Sequence, residues 1–349
     1  MNRKDLVNKL TLANLTLADN AMVPMLQCFQ FSTKLVVATD GSVGINIPCK
    51  TDKPFAVNGK VLLGLLSNSQ AEEVEFSLVN GELHVNADKS LFKLPYLPEE
   101  DFMFCGEDKM KPLATFPLTE EFIEGIENCL VTASRDEAQQ ALMGVTISDD
   151  KKEGVRLCSC DGDALTRYST GLGASGMKDT MLPNQFCAAL IKISKEVGLG
   201  KSATLAVNSE WAKATLGGGH IVHGRVIEND NPLNHDDVIK KTFKGAPKFV
   251  KCPDGLNEAL SRAQVVAKAE SAKTVLTVSG GKLKLLTITH IGEVKDTVAL
   301  PGHPDVTADV SAELMQRSLN ICDEIAITDR CVAYRNGEKL FQIISNVSK

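Results

Sequence analysis

Val57-Asn58-Gly59-Lys60-Val61-Leu62-Leu63-Gly64-Leu65-Leu66 places one apolar residue four positions ahead of two closely spaced apolar pairs, and the chain writes this spacing three times. The anchors are Val57, Val61, Leu62, Leu65 and Leu66, then Leu182, Phe186, Cys187, Leu190 and Ile191, then Val310, Leu314, Met315, Ser318 and Leu319. The recurrence, roughly every 125 residues, marks a repeated domain in which each stretch predicts a helix starting at Val57, Leu182 or Val310. A first helix precedes each one. Its apolar face is Leu6, Leu10, Ala13 and Leu17 (helix over 5–17), then Phe122, Ile123, Ile126 and Leu130, then Leu256, Leu260, Ala263 and Ala267.

Strand patterns fill the intervals. In the first copy, 35–38 enters a turn at Thr39-Asp40-Gly41 and 43–47 returns, while 74–78 alternates with period two and meets 83–85 through Asn80-Gly81, a type I′ hairpin signal. The second copy has strands at 144–147 and 155–159, a turn at Cys160-Asp161-Gly162, Pro183 in the first turn of its second helix, and strands at 204–207 and 211–216. The third has strands at 275–278 and 283–289, and a final hairpin tipped by Asn336-Gly337, given the same turn chemistry as Asn80-Gly81. The Asn-, Asp- and Lys-rich segment 228–241 reads as the longest linker. The expected architecture is α+β, with three repeated domains over 1–112, 113–244 and 245–349 and helices packed on one face of antiparallel sheets. A tripled unit suggests a ring or an array.

A length of 349 residues suits three modest cores, and a net charge of −6 gives no global basic signal, so any contact with nucleic acid must come from local Lys and Arg. Ten cysteines without a repeated CxxC fit a reducing cytoplasm, and no apolar run is long enough for a membrane span. No cofactor, metal or catalytic residue is expected. Asp161-Gly162-Asp163 reads as a strand turn like Asp40-Gly41-Ser42 in preference to a metal-binding DxD; Cys158-Ser159-Cys160 is spaced too tightly for a tetrahedral zinc pair. Gly217-Gly218-Gly219 precedes a strand and so reads as a bend, and the six histidines share no HxxxH spacing.

Leu91-Phe92-Lys93-Leu94-Pro95-Tyr96-Leu97-Pro98-Glu99-Glu100-Asp101-Phe102 resembles the end of the first domain of the bacterial DNA polymerase III beta subunit, the replicative sliding clamp. Ala38-Thr39-Asp40, Asp161-Gly162 with Leu165, and Leu182-Pro183-Asn184 agree with that family in order, whether the source is a bacterium or a virus. The resemblance implies a DNA clamp fold: a homodimeric ring with helices lining a central channel and sheets outside. It implies a non-enzymatic processivity factor in DNA replication, whose partners are duplex DNA, a replicative polymerase and a clamp loader. Duplex phosphates offer a sequence-independent charge that diffuse cations can follow while the protein slides. Candidate DNA contacts are Arg3, Lys4, Lys9, Lys60, Arg135, Lys192, Lys195, Arg262, Lys268 and Arg317, opposed by an acidic stripe at Glu120, Glu124 and Glu127. The family's ring closure maps onto Phe92 and Leu94 against Val265 and Val266, and its partner-peptide cleft onto Leu142, Gly162, Leu165, Val238, Phe341 and Ile343. The alternative is a non-encircling interaction scaffold of three related domains, for which the acidic stripe and net charge argue.

Overall fold

The computed structural model describes residues 1–19, 21–102, 110–228, 233–243 and 248–346. The first copy runs α1 (Arg3–Ala13), β1 (Cys28–Phe31), β2 (Leu35–Thr39), β3 (Val43–Pro48), β4 (Phe55–Asn58), α2 (Gly59–Ser67), β5 (Glu75–Val79), β6 (Glu82–Ala87) and β7 (Ser90–Leu97). The second opens with β8 (Ala114–Pro117) and continues α3 (Glu120–Leu130), β9 (Gly144–Asp150), β10 (Gly154–Cys160), β11 (Ala164–Ser169), β12 (Thr180–Pro183), α4 (Asn184–Val197), β13 (Thr204–Val207), β14 (Trp211–Thr215) and β15 (Ile221–Arg225). After α5 (His235–Thr242) and β16 (Val250–Lys251) come α6 (Leu256–Ala267), β17 (Thr274–Ser279), β18 (Lys282–Thr289), β19 (Gly292–Ala299), β20 (Val306–Val310), α7 (Ala312–Leu319), β21 (Glu324–Ile327), β22 (Cys331–Asn336) and β23 (Leu340–Ser345). Helix, three strands, one strand, helix, three strands: the order repeats in full.

The structure corrects where the second helices begin. Val57, Leu182 and Val310 lie in β4, β12 and β20, not in helices. A cap separates strand from helix in the first and third copies: the Asn58 side chain accepts from the Val61 amide at 3.1 Å, and the Ser311 hydroxyl accepts from the Leu314 amide at 3.3 Å. The apolar spacing ran through the junction because the inward residue near the strand's end faces the same core as the helix behind it. Pro183 is likewise the last residue of β12, paired with Gly144, and not part of a first helical turn. Helix α1 stops at Ala13, four residues short of the expected 17, and a 3₁₀ turn follows in which Thr16 Oγ1 donates to the Ala38 carbonyl at 3.0 Å. The expected linker 228–241 contains α5, capped by Asn234 and carrying Asp236 and Asp237 in its first turn and Lys240 and Lys241 in its last, charges that suit the helix dipole. Positions 229–232 of that linker, and the expected boundary at 244/245, lie outside the described residues. Asn80 (φ 49°) and Gly81 (φ 82°) form the expected I′ turn, but the Asn336↔Leu340 pair encloses Gly337, Glu338 and Lys339, with only Gly337 left-handed at φ 55°.

All the strand pairings are antiparallel, in sheets ordered β5-β6-β7-β4-β1-β2-β3-β15-β14-β13-β8, β12-β9-β10-β11-β23-β22-β21-β16 and β19-β18-β17-β20. The chain forms two compact units, Met1–Ile123 with Gln185–Val226, and Glu124–Asn184 with Ile227–Lys349. The first sheet lies in the first unit and the other two in the second. One rule joins the copies: the last strand of a copy pairs with the third strand after the first helix of the copy before it. In the first unit β15 pairs with β3 (His223↔Gly44, Val222↔Ile45), and in the second β23 pairs with β11 (Leu165↔Ile343, Arg167↔Phe341).

Both seams have specific interiors. At the first, the His223 ring is fully buried over Gly44, where a Cβ would overlap it, and Nε2 lies 3.2 Å from Asn46 Oδ1. At the second, a buried hydroxyl–amide network crosses the strands. Gln342 Nε2 donates to Thr166 Oγ1 at 2.9 Å, Thr166 meets Thr132 at 2.6 Å, Thr132 meets Ser159 at 2.8 Å, and Ser159 Oγ donates to the Cys129 carbonyl at 2.6 Å. A buried network satisfied in this way fixes register, because any slip strands its members without partners.

Burial pushes both His223 and His235 down to about 4 from the ordinary 6.5. The unfolded chain therefore takes up protons that the folded one refuses, and stability falls as pH drops from about 6.5 towards 4. Each site contributes on the order of 3 kcal/mol across that window. Thermal melts over it should show a falling Tm, and a flat profile would contradict the buried neutral imidazoles.

Candidate partner cleft and nucleic-acid surface

One face of the sheet in the second unit gathers most of the expected cleft. Antiparallel pairing aligns Cys160 with Leu165, Leu165 with Ile343 and Ile343 with Ala333, and the neighbouring row aligns Cys158, Arg167, Phe341 and Arg335. Residues directly opposite or two apart along a strand share a face, so Leu165, Ile343 and Phe341 lie together. Leu165 and Ile343 are buried and Phe341 is half-buried. Ile239, Phe243, Phe249 and Phe341 cover Cys331, Ala333 and Ile343. The Phe341 ring stands 5.5 Å from that of Phe243 and 6.2 Å from that of Phe249. Gly162 (φ 97°) lies exposed in the turn entering β11, and Leu142 borders a narrow crevice with Gly144, Cys160, Met181 and His235. Val238 is half-buried on α5.

The turn at Gly162 spends its own acid. Asp161 Oδ1 accepts the amides of Asp163 at 2.9 Å and Ala164 at 2.7 Å, as Asp40 Oδ1 accepts those of Ser42 and Val43, both at 2.8 Å. This is turn chemistry, repeated between copies. Cys158 and Cys160 face one side of a buried strand, and burial pushes the Cys158 thiol up to about 12 and that of Cys160 above its usual range, which disfavours the reactive thiolate.

Helix α5 is held to this face by charge. Asp236 receives Arg156 at 3.1 and 2.8 Å and Arg167 at 3.1 Å. Burial pushes the Asp236 carboxyl up, but the two guanidiniums outweigh it and hold it below the usual carboxylate range. Arg156, only 5% exposed, also donates to Glu153 at 3.1 Å. Sequence reasoning missed this anchor, although an arginine inside the apolar run Val155-Arg156-Leu157-Cys158 was a signal that a buried charge needed a partner.

Of the expected DNA contacts, Arg3, Lys9, Lys60, Arg262 and Arg317 have partners within the chain. Arg3 caps the end of α2, donating from Nη1 to the Leu66 carbonyl at 3.0 Å and from Nε to Ala71 at 2.6 Å. Lys9 pairs with Asp5 at 2.8 Å, Lys60 with Asp19, Arg262 with Asp296 at 2.7 Å, and Arg317 with Glu313. Lys4, Arg135, Lys192, Lys195 and Lys268 are exposed. Glu120, Glu124 and Glu127 fall on the exposed side of α3, where Tyr168 Oη donates to Glu124 at 3.0 Å and Lys339 stands 3.8 Å from it. The expected closure residues divide: Phe92 and Leu94 are half-buried on β7, Val265 is 72% exposed on α6, and Val266 packs into the core.

No family model matches the chain. It is 21% identical over 302 residues to the beta sliding clamp of Caulobacter vibrioides, a match covering 83% of this chain and 77% of that protein. Over its whole length it superposes on 99% of a sliding clamp (DNA polymerase III subunit beta) from Bartonella birtlesii bound to griselimycin, at TM-score 0.89 and 16% identity. The chain has the sliding-clamp fold. The Helicobacter pylori beta clamp bound to a DNA ligase peptide matches it at TM-score 0.79 and 14% identity, again over the whole chain and 99% of that one. Among the described residues no helix is long and apolar enough to cross a membrane.

In this clamp-fold chain, Asp236→Asn leaves the buried Arg156 guanidinium short of its principal counter-charge. We expect a loss of roughly 3 kcal/mol, read as a lower denaturant midpoint, with faster amide exchange in α5. An unchanged midpoint would show that Glu153 and Asp150, whose carboxylate lies 3.8 Å from Arg156, suffice.

Proposed function

We propose that the chain is a DNA polymerase processivity factor: a sliding clamp whose copies close around duplex DNA in the cytoplasm and tether a replicative polymerase. The observation that carries this reading is the joining rule between copies. β15 closes on β3 and β23 on β11, so the rule calls for β7, the last strand of the first copy, to close on β19, the third strand after α6 in the third copy. Among the described residues β19 pairs with β18 alone, and β7 pairs with β6 over 90–95 and meets β4 only through Tyr96 and Leu97. Each open edge carries exposed apolar side chains nearby: Leu91 and Val61 around β7, and Val265, Ile288 and Ile291 in the copy that holds β19. Unpaired edges of this kind are pairing templates, and a second copy satisfies both at once through a two-fold arrangement.

Three domains per chain, divided at 112/113 and 244/245, then make a six-domain ring with helices lining the channel and sheets outside. Phe92, Leu94, Val265 and Val266 mark its closure, and a clamp loader opens it. The ion pairs on Lys9, Lys60, Arg262 and Arg317 suit an enclosure that holds DNA topologically instead of gripping it. The peptide cleft comprises Leu142, Gly162, Leu165, Val238, Phe341 and Ile343, supported by the peptide-bound relative and by their placement around one sheet face. Nothing in this role calls for catalysis. A non-encircling scaffold is not favoured, because it leaves both apolar edges without a function.

Loaded on circular DNA, the protein should be retained, and it should be lost when the circle is cut; equal retention on both forms would rule out enclosure. Val265→Glu should convert the dimer largely to monomer in solution mass measurements, since it places an unpartnered charge in the closing surface. A dimer of unchanged mass would move the interface elsewhere.

A further inference from the structure

We propose that a basic groove beside the partner cleft receives an acidic side chain of the bound peptide, so that acidic residues flanking a partner's apolar anchors set its affinity. The inference rests on the cleft reading above and extends it. The groove, about 510 Å³, lies on the same unit and is lined by Arg156, Arg167, Arg335 and Lys339 together with Phe249 and Phe341. Phe341 belongs to both sites. Its register partner is Arg167, two positions along β11 from the Leu165↔Ile343 pair, so the groove begins where the apolar floor ends.

Its chemistry suits a carboxylate on an extended peptide. The Arg335 guanidinium sits 4.4 Å from the Phe249 ring centre and Arg167 sits 5.8 Å from that of Phe341, so aromatic surface holds the cations in place and keeps water from one side of them. The molecule already recognises acids this way: Asp236 is held by Arg156 and Arg167, and Glu324 by Arg335 at 2.5 and 3.2 Å. Arg167 gives Asp236 a single arm of its fork, and its side chain is 29% exposed, which leaves guanidinium edge for an incoming acid. Four cations and two acids, Glu153 and Glu338, line the groove, and Asp236, Glu324 and Glu124, which also pair with those cations, do not line it. A basic flank meets more cations than acids along this lining and is disfavoured, which is how an excess of one sign selects partners.

The test uses the intact protein and fluorescent forms of the DNA ligase peptide bound by the Helicobacter pylori clamp: the parent sequence, and versions with a short run of glutamates, alanines or lysines added at either end. A glutamate run at one end should tighten binding about threefold to tenfold over the parent, and lysines should weaken it. The ratio of glutamate-tailed to parent affinity should fall to near one in Arg167→Gln/Lys339→Gln, whose folding is checked by its melt. If parent, alanine and glutamate peptides bind alike, the groove assignment fails and the cleft stands. Should the glutamate advantage persist in the double variant, these cations are not its source. Failure of every peptide to bind would overturn the cleft reading, and the inference with it.

Discussion

Backbone hydrogen bonding at strand edges is the constraint on which the rest of this molecule depends. A strand in mid-sheet satisfies donors and acceptors on both sides, whereas an edge leaves a row exposed, and proteins cover such rows, twist them away or pair them. Here the copies use one another for the purpose. Each seam is a continuation of sheet from one repeat to the next, so the repeats are not beads joined by linkers. This also explains why the two compact units cut through the second copy: β13, β14 and β15 belong with the sheet of the first copy, and β9 to β12 with that of the third. The compact unit and the unit of repetition are out of phase.

The repeated order was legible because each copy presents the same apolar face to the same kind of core, and the 3.6-residue period survives replacement of the individual residues. What could not be read was the strand before each second helix, since Val57, Leu182 and Val310 fit the helical spacing while sitting in strands. Periodicity reports which residues face inward, not which backbone carries them there. The same limit hid β19: exposed Glu293, Lys295 and Thr297 alternate with half-buried Val294, Asp296 and Val298, and the acid among the latter breaks the apolar alternation that betrays a strand with a covered face.

The functional surfaces divide in the same way. Leu165, Phe341 and Ile343 were mapped by resemblance and lie together because β11 and β23 are in register, but the arginine–aspartate anchor of α5 joins residues 80 positions apart, so the local signal at Arg156 does not say which acid answers it. The candidate DNA contacts were read from charge and helical position alone. That reading cannot see Asp19 or Asp296 arriving from a turn and a strand to meet Lys60 and Arg262, whereas Glu313, four residues before Arg317 on the same helix, was within its reach. The acidic helix that sat awkwardly in the sequence is partly accounted for by Tyr168 and Lys339, which give Glu124 a structural role.

The threonine–serine–glutamine network beneath the β11–β23 seam carries a mechanical consequence. Separating those strands would break the Gln342–Thr166 bond and open a buried hydroxyl chain to water, and the seam over His223 would have to expel a ring from a socket shaped by a missing side chain. Joints inside the chain are therefore rivets. The two open edges have half-exposed flanks and no comparable interior. In the proposed ring, compliance is concentrated at the contacts between chains, and force applied to it parts it there first.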